Sequence, residues 1–254
     1  MYLDQVFGLQ GKVAVVTGGN KGIGRTVGLG LAKAGAEVVI LSRSDANEAI
    51  ADIQAAGGKA WHISTDVTNE QEVDSAVRQI IERSQKIDVL FNNAGITLHK
   101  EVLKTTPDEF RHMIDVNLTG EYIVARRVAQ TMVDLSVAGS IINMASMSGY
   151  IVNIPNLQCA YNTSKAAILH MTRSMAVEFA PYHIRVNSIS PGFVATPMSA
   201  DVAEELKQAW YRMIPMGRMA EPEELVPPIL YLASSASGYT TGSDVVVDGG
   251  YTCL

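Results

Sequence analysis

Seven short β-branched runs recur along the chain, and most are separated by helical stretches of ten or more residues. The runs are 13–17 (VAVVT), 37–41, 60–64, 87–91, 139–145, 184–190 and 244–248. The intervening helical patterns cover 22–34, 45–56, 70–83, 107–133 and 160–180. Nearly continuous apolar strands are the mark of strands buried on both faces. Strand–helix–strand alternation of this length gives right-handed βαβ units and a parallel sheet. The expected fold class is therefore α/β, a Rossmann fold with a doubly wound parallel sheet of about seven strands and helices on both faces. No repeat, low-complexity tract or Pro/Gly/Ser linker interrupts the 254 residues, so residues 1–254 are read as one domain. Ligands of such sheets lie at the carboxyl ends of the strands.

Composition narrows the function classes. The net charge is −6, which disfavours a dedicated nucleic-acid binder. No apolar run approaches the ~18 residues of a membrane span. The first ten residues carry no signal-peptide pattern, and only Cys159 and Cys253 occur, which fits a reducing, cytoplasmic setting without a disulfide framework. The five histidines lack metal-ligand spacing, so no metal site is expected.

The first strand runs into Gly18-Gly19-Asn20-Lys21-Gly22-Ile23-Gly24, followed by a helix. Phosphate approaches backbone N–H groups where no Cβ intervenes, and a helix N-terminus adds partial positive charge. Gly18, Asn20, Lys21, Gly22, Ile23 and Gly24 are thus candidate dinucleotide contacts. Where an NAD site would place a carboxylate, about 20 residues on, this chain has Ser42 and Arg43. Arginine forks onto phosphate oxygens, so Arg43, with Ser42 and Lys21, points to the 2′-phosphate of NADP(H), with NAD(H) the lesser expectation. Asp66, followed by Val67, ends the third strand, and Asn92-Asn93-Ala94-Gly95 follows the fourth. Either set lines an adenosine pocket or serves local turn chemistry. Asn117 interrupts a long helical pattern, where it is either exposed or opens the helix to hold a side chain or water.

Tyr161 and Lys165 stand at i and i+4, on one face of a helix. An ammonium beside a phenol favours the phenolate and tunes the tyrosine for general acid–base work. Ser146 ends the fifth strand and faces the same crevice, where its hydroxyl can hydrogen-bond a substrate oxygen. Ser148, Asn153 and Gln158 are further candidate substrate contacts. Cys159 is read as a small packing residue with no base beside it.

Taken together, these residues resemble the short-chain dehydrogenase/reductase family, over nearly all of the chain. Thr17-Gly18-x-x-x-Gly22-Ile23-Gly24 resembles its cofactor loop. Asp66, Asn92-Asn93-Ala94-Gly95 and Asn117 resemble its adenine, structural and proton-relay positions, and Ser146, Tyr161 and Lys165 its catalytic residues. Pro191-Gly192, with Val194 and Thr196, resembles its nicotinamide-side loop. The resemblance implies a homotetramer and a segment, about 192–215, that closes over a small-molecule substrate. The serine-to-tyrosine spacing is two residues longer than is usual in the family. The segment that carries the extra length resembles the sugar-alcohol branch of mannitol 2-dehydrogenases, sorbose reductases and galactitol dehydrogenases. The implied reaction is interconversion of a ketose and a polyol. The alternatives are a 3-oxoacyl carrier-protein reductase, a broad carbonyl reductase, or a non-catalytic dinucleotide sensor.

Overall fold

The computed structural model describes residues 2–196 and 203–254. Seven strands form one sheet in the order β3-β2-β1-β4-β5-β6-β7, with every pairing parallel. They are β1 (Val13–Thr17), β2 (Glu37–Ser42), β3 (Lys59–Ser64), β4 (Val89–Asn92), β5 (Ser140–Met144), β6 (Arg185–Pro191) and β7 (Asp244–Val247). The expected doubly wound sheet is the observed one. Strand order reverses between β1 and β4, which opens a crevice at their carboxyl ends.

Burial on both faces follows from the alternation within each strand. Ala14, Val16, Val38 and Ile40 face one layer, where they meet Val27 and Leu31 of the helix Gly22–Lys33 and Ile229 and Leu232 of a late helix, Val226–Ala233. Val13, Val15, Val39 and Leu41 face the other. There they meet Val73, Val77 and Ile80 of Glu70–Ser84, and Val124, Val128 and Met132 of Gly120–Asp134. Polar side chains start the helices where the backbone N–H groups would otherwise lack partners. Asn69 accepts from the Gln71 and Glu72 N–H groups, and Thr106 forms a reciprocal capping box with Glu109.

The pattern read as one helix over 107–133 is broken. An α-helix at Pro107–Ile114 passes into a π-helical turn at Asp115–Thr119 and resumes at Gly120. Among the described residues, three α-helices lie outside the sequence reading: Tyr2–Phe7, Glu204–Met213 and Val226–Ala233. Part of the expected closing segment, residues 197–202, falls outside the described residues. Beyond it, Trp210 is 4% exposed and stacks on Phe193 at 4.2 Å, so this end is anchored by an aromatic pair. The Phe193 ring also meets Tyr251 edge-on at 5.7 Å.

Gly24 sits where the helix Gly22–Lys33 crosses the end of β1. A Cβ there would stand 2.4 Å from the Gly18 carbonyl oxygen and 2.6 Å from Asn93 Nδ2. Gly24→Ala should therefore destabilise the protein by about 1–3 kcal/mol through overpacking. A urea-unfolding midpoint equal to that of wild type would refute this.

Candidate active site

The glycine loop and the turn after β4 form one hydrogen-bonded unit. Thr17 Oγ1 accepts from the N–H groups of Asn93 at 2.8 Å and Ala94 at 2.9 Å. Asn93 Nδ2 donates in return to the Thr17 carbonyl at 2.9 Å. Gly18 and Gly22 take positive φ values of 65° and 53°, which residues with a Cβ rarely adopt. Among the described residues, a Cβ added at Gly22 would meet only Thr196 Cβ, at 4.0 Å. This open cradle at the N-terminus of Gly22–Lys33 fits the diphosphate of a dinucleotide. Lys21 is exposed just before the helix, Asn20 is half-buried, and Ile23 packs on the core. Gly192 closes the crevice from β6, where a Cβ would lie 2.8 Å from Asp248 Cα. Pro191 pairs with Val247, and Val194 forms an isolated bridge with Ala220.

At the adenosine end, the Arg43 side chain is 66% exposed and its guanidinium stands 3.9 Å from Asp66. Asp66 Oδ1 accepts from the N–H and hydroxyl of Thr68 at 2.9 and 2.7 Å. Those bonds, with the nearby Arg43 charge, hold the Asp66 carboxyl below its ordinary range. Val67 is buried beneath, against Gly120. Ser42 differs from expectation. Its hydroxyl donates to the Ser44 carbonyl at 2.8 Å and lies 3.1 Å from His62 Nε2, so it is committed locally rather than held out for a phosphate.

The catalytic candidates meet beyond the end of β5. Ser146 adopts extended backbone before a short 3₁₀ turn, Met147–Gly149, and its Oγ accepts from the Ser148 N–H at 3.1 Å. Helix Cys159–Phe179 carries Tyr161 and Lys165, with the ammonium 5.8 Å from the phenol ring centroid. Lys165 is 3% exposed; Nζ donates to the Met144 carbonyl at 2.5 Å and stands 3.6 Å from the carboxylate of Glu121. Burial pushes the Glu121 carboxyl up to about 8, with Lys165 pulling the other way.

Asn117 opens its helix, as one of the two sequence alternatives required. It is fully buried in the π turn, where Oδ1 accepts from the Ile96 N–H at 2.8 Å. Nδ2 donates to the Ile96 carbonyl at 2.9 Å and to Ser164 Oγ at 3.2 Å. Ser164 Oγ in turn donates to the Tyr161 carbonyl at 2.7 Å. The amide therefore holds main chain and the tyrosine helix. Gly95 lies directly over it, 3.2 Å from Oδ1 to an added Cβ.

The three further candidate substrate contacts bond to one another, and Gln158 also bonds the His99 side chain. Ser148 Oγ donates to Asn153 Oδ1 at 2.8 Å. Gln158 Nε2 donates to Asn153 Oδ1 at 2.9 Å and to Ser148 Oγ at 3.2 Å, and all three residues are buried. Cys159 is exposed and not packed, because it occupies the outer side of the first helical turn.

Sequence reasoning missed Glu121, and placed Asn92 only in the turn after the fourth strand. Asn92 Nδ2 donates to the Glu121 carbonyl at 2.7 Å and so fixes the start of helix Gly120–Asp134. The available signal was Glu121 at i+4 from Asn117, on a face otherwise apolar through Val124, Ala125 and Val128.

A parallel dinucleotide-binding sheet with a serine, a tyrosine and a lysine beside its crevice defines a class of nicotinamide-dependent oxidoreductases. Residues 18–252 match the family model described as enoyl-(acyl carrier protein) reductase. The chain belongs to the short-chain dehydrogenase/reductase family and is an oxidoreductase acting on alcohol groups. It is 42% identical to the sorbose reductase of Candida albicans over 252 residues, 98% of this chain and 89% of that protein. It is 41% identical to a probable NADP-dependent mannitol dehydrogenase of Yarrowia lipolytica, over 97% of this chain and 90% of the other. A crystal structure of a short-chain type dehydrogenase/reductase from Mycobacterium marinum superposes with a TM-score of 0.97 at 45% identity, covering all of both chains.

Asn117→Ala would leave the half-buried Ile96 N–H and carbonyl without their partner, at up to about 1–3 kcal/mol for each group that water does not reach. Chemical denaturation should show this loss together with a fall in kcat. Unchanged stability would mean that the amide does not bridge these elements.

Proposed function

We propose that the protein is an NADP(H)-dependent oxidoreductase that interconverts a ketose and a polyol, with Tyr161 as the general acid–base. The observation that carries the reading is Lys165, buried against Tyr161 at the mouth of a crevice that also holds Ser146 and the open glycine cradle. Gly18, Gly22 and Gly24 with Lys21 hold the diphosphate, Asn93 and Asp66 border the adenosine, and Lys165 and Thr196 face the nicotinamide side. A bound nicotinamide supplies or takes up the hydride. Ser146 orients the substrate oxygen by a hydrogen bond. Tyr161 gives that oxygen a proton in reduction and takes it back in oxidation. The Lys165 charge favours the phenolate, and Asn117 keeps the tyrosine helix in register.

Support for a sugar substrate comes from kinship with sorbose reductase and mannitol dehydrogenase. A panel of ketoses, polyols and acetoacetyl thioesters, read by NADPH absorbance, tests the reading. Ketoses such as fructose, sorbose or xylulose should give the higher kcat/KM. Tyr161→Phe should lose the ~10²–10⁴ typical of an acid–base group while its NADPH affinity stays near that of wild type. A thioester turned over as well as the best ketose would move the protein to the acyl-reductase reading.

Arg43 carries the cofactor preference in this reading, since Ser42 is engaged by Ser44. A charge-assisted hydrogen bond of ~1.5–3 kcal/mol corresponds to roughly ten- to hundredfold weaker NADPH binding in Arg43→Ala, with NADH little changed. Equal losses for the two cofactors in fluorescence titrations would sink the phosphate role.

A further inference from the structure

Glu121 is the buried ionisable group that the proposed chemistry leaves unused. Its side chain is 1% exposed, and neither carboxylate oxygen has a hydrogen-bond partner among the described residues. A carboxylate is rarely left so unless it faces a compensating charge. The facing charge is Lys165 Nζ on helix Cys159–Phe179, at 3.6 Å. The sheet contributes only neutral groups on this side. Asn92 of β4 donates to the Glu121 main-chain carbonyl and to Asn143 Oδ1 of β5, and the Met144 carbonyl accepts from Lys165. The backbone of Glu121 is pinned by Asn92, so the carboxyl is held beside the ammonium and does not swing to solvent.

We propose that Glu121 is a positioning residue for the acid–base pair: it fixes the Lys165 ammonium from behind, and its own protonation state sets how much of the lysine's positive field reaches the Tyr161 phenol. While the carboxyl keeps its proton, Glu121 and Lys165 together carry one positive charge, and the phenolate is favoured. Once the carboxyl ionises, the two cancel and that support is withdrawn. Desolvation makes this relevant near neutrality, since burial raises the carboxyl to about 8. This rests on Tyr161 and Lys165 being the acid–base pair, so the test includes an arm that needs no turnover.

The first arm is infrared spectroscopy of protein labelled with ¹³C-glutamate, titrated through the alkaline range. A protonated glutamate carboxyl band should persist well above the ordinary carboxylate range and vanish in Glu121→Gln. It should hold its proton to still higher pH in Lys165→Met, where the cation is gone. The second arm is the pH profile of kcat/KM for alcohol oxidation. In Glu121→Gln the amide cannot ionise, so the lysine keeps its full field and the acid limb should move down by about one pH unit. A merely space-filling Glu121 would be replaced by the isosteric amide with no shift. Both results are required. A carboxyl that titrates in the ordinary range, or superposed wild-type and Glu121→Gln profiles, overturns the proposal. Should Glu121→Gln fail to fold, the wild-type and Lys165→Met titrations decide it: a band unmoved by loss of the lysine refutes the pairing. Should no alcohol be oxidised, the assignment of Tyr161 falls, and the infrared arm still decides whether Glu121 and Lys165 share their charge.

Discussion

The Thr17 hydroxyl, accepting two main-chain N–H groups from the turn after β4, is the contact on which the rest of the site depends. β1 and β4 are neighbours in the sheet, but the chain leaves β1 into the glycine loop and helix Gly22–Lys33, and leaves β4 through the turn at Asn93 toward helix Pro107–Ile114. Nothing in the sheet ladder itself holds those departing ends together. Thr17 and the answering Asn93 amide supply that join. Gly24 completes it, because only hydrogen fits between the Gly18 carbonyl and the Asn93 side chain. The crevice thus has a rigid floor made of β1, β4 and the first turn of the following helix.

A second set of bonds carries that rigidity to the chemistry. The turn after β4 continues to Ile96, whose N–H and carbonyl are both taken by Asn117. Asn117 reaches Ser164, and Ser164 reaches the Tyr161 carbonyl. The π turn is the structural cost of this chain of bonds: an extra residue in the turn swings the amide inward, against the local preference for a regular helix. Buried polar networks offset such a cost only when every member is satisfied, and here the Asn117 side chain meets main chain at both of its ends. The glycine loop and the helix Cys159–Phe179 are in this way registered to one another through side chains instead of through the sheet.

The periodic strands, the glycine loop and the Tyr161/Lys165 pair were legible in the sequence because each is a local pattern. Strand burial follows from uninterrupted Val and Ile, and a helical pair follows from spacing alone. Asn117 was legible as an anomaly, a poor helix former in a helical run, although its partners were not. What stayed hidden depends on contacts between residues far apart in the chain. Ser42 looks available for phosphate until Ser44 and His62 are seen to engage it. Trp210 looks like part of a closing segment until Phe193 is found stacked on it. Glu121 shows in the sequence only as a charge on an otherwise apolar helix face, and nothing nearby in sequence announces that Lys165 lies opposite.

The segment between Ser146 and Tyr161 is bound to itself more closely than its polar residues suggest in the sequence. Ser148, Asn153 and Gln158 bond to one another, and Gln158 also reaches His99. Ser146 Oγ takes the Ser148 N–H, Ser148 Oγ joins Asn153 and Gln158, and Gln158 stands at the N-cap of the helix that carries Tyr161 three residues later. Along that path the segment is a strut between the serine and the tyrosine. Each bond inside such a buried group is costly to break, because it leaves a desolvated polar atom without its partner. The segment therefore ties the end of β5 to the start of helix Cys159–Phe179 by side-chain bonds as well as by the chain itself.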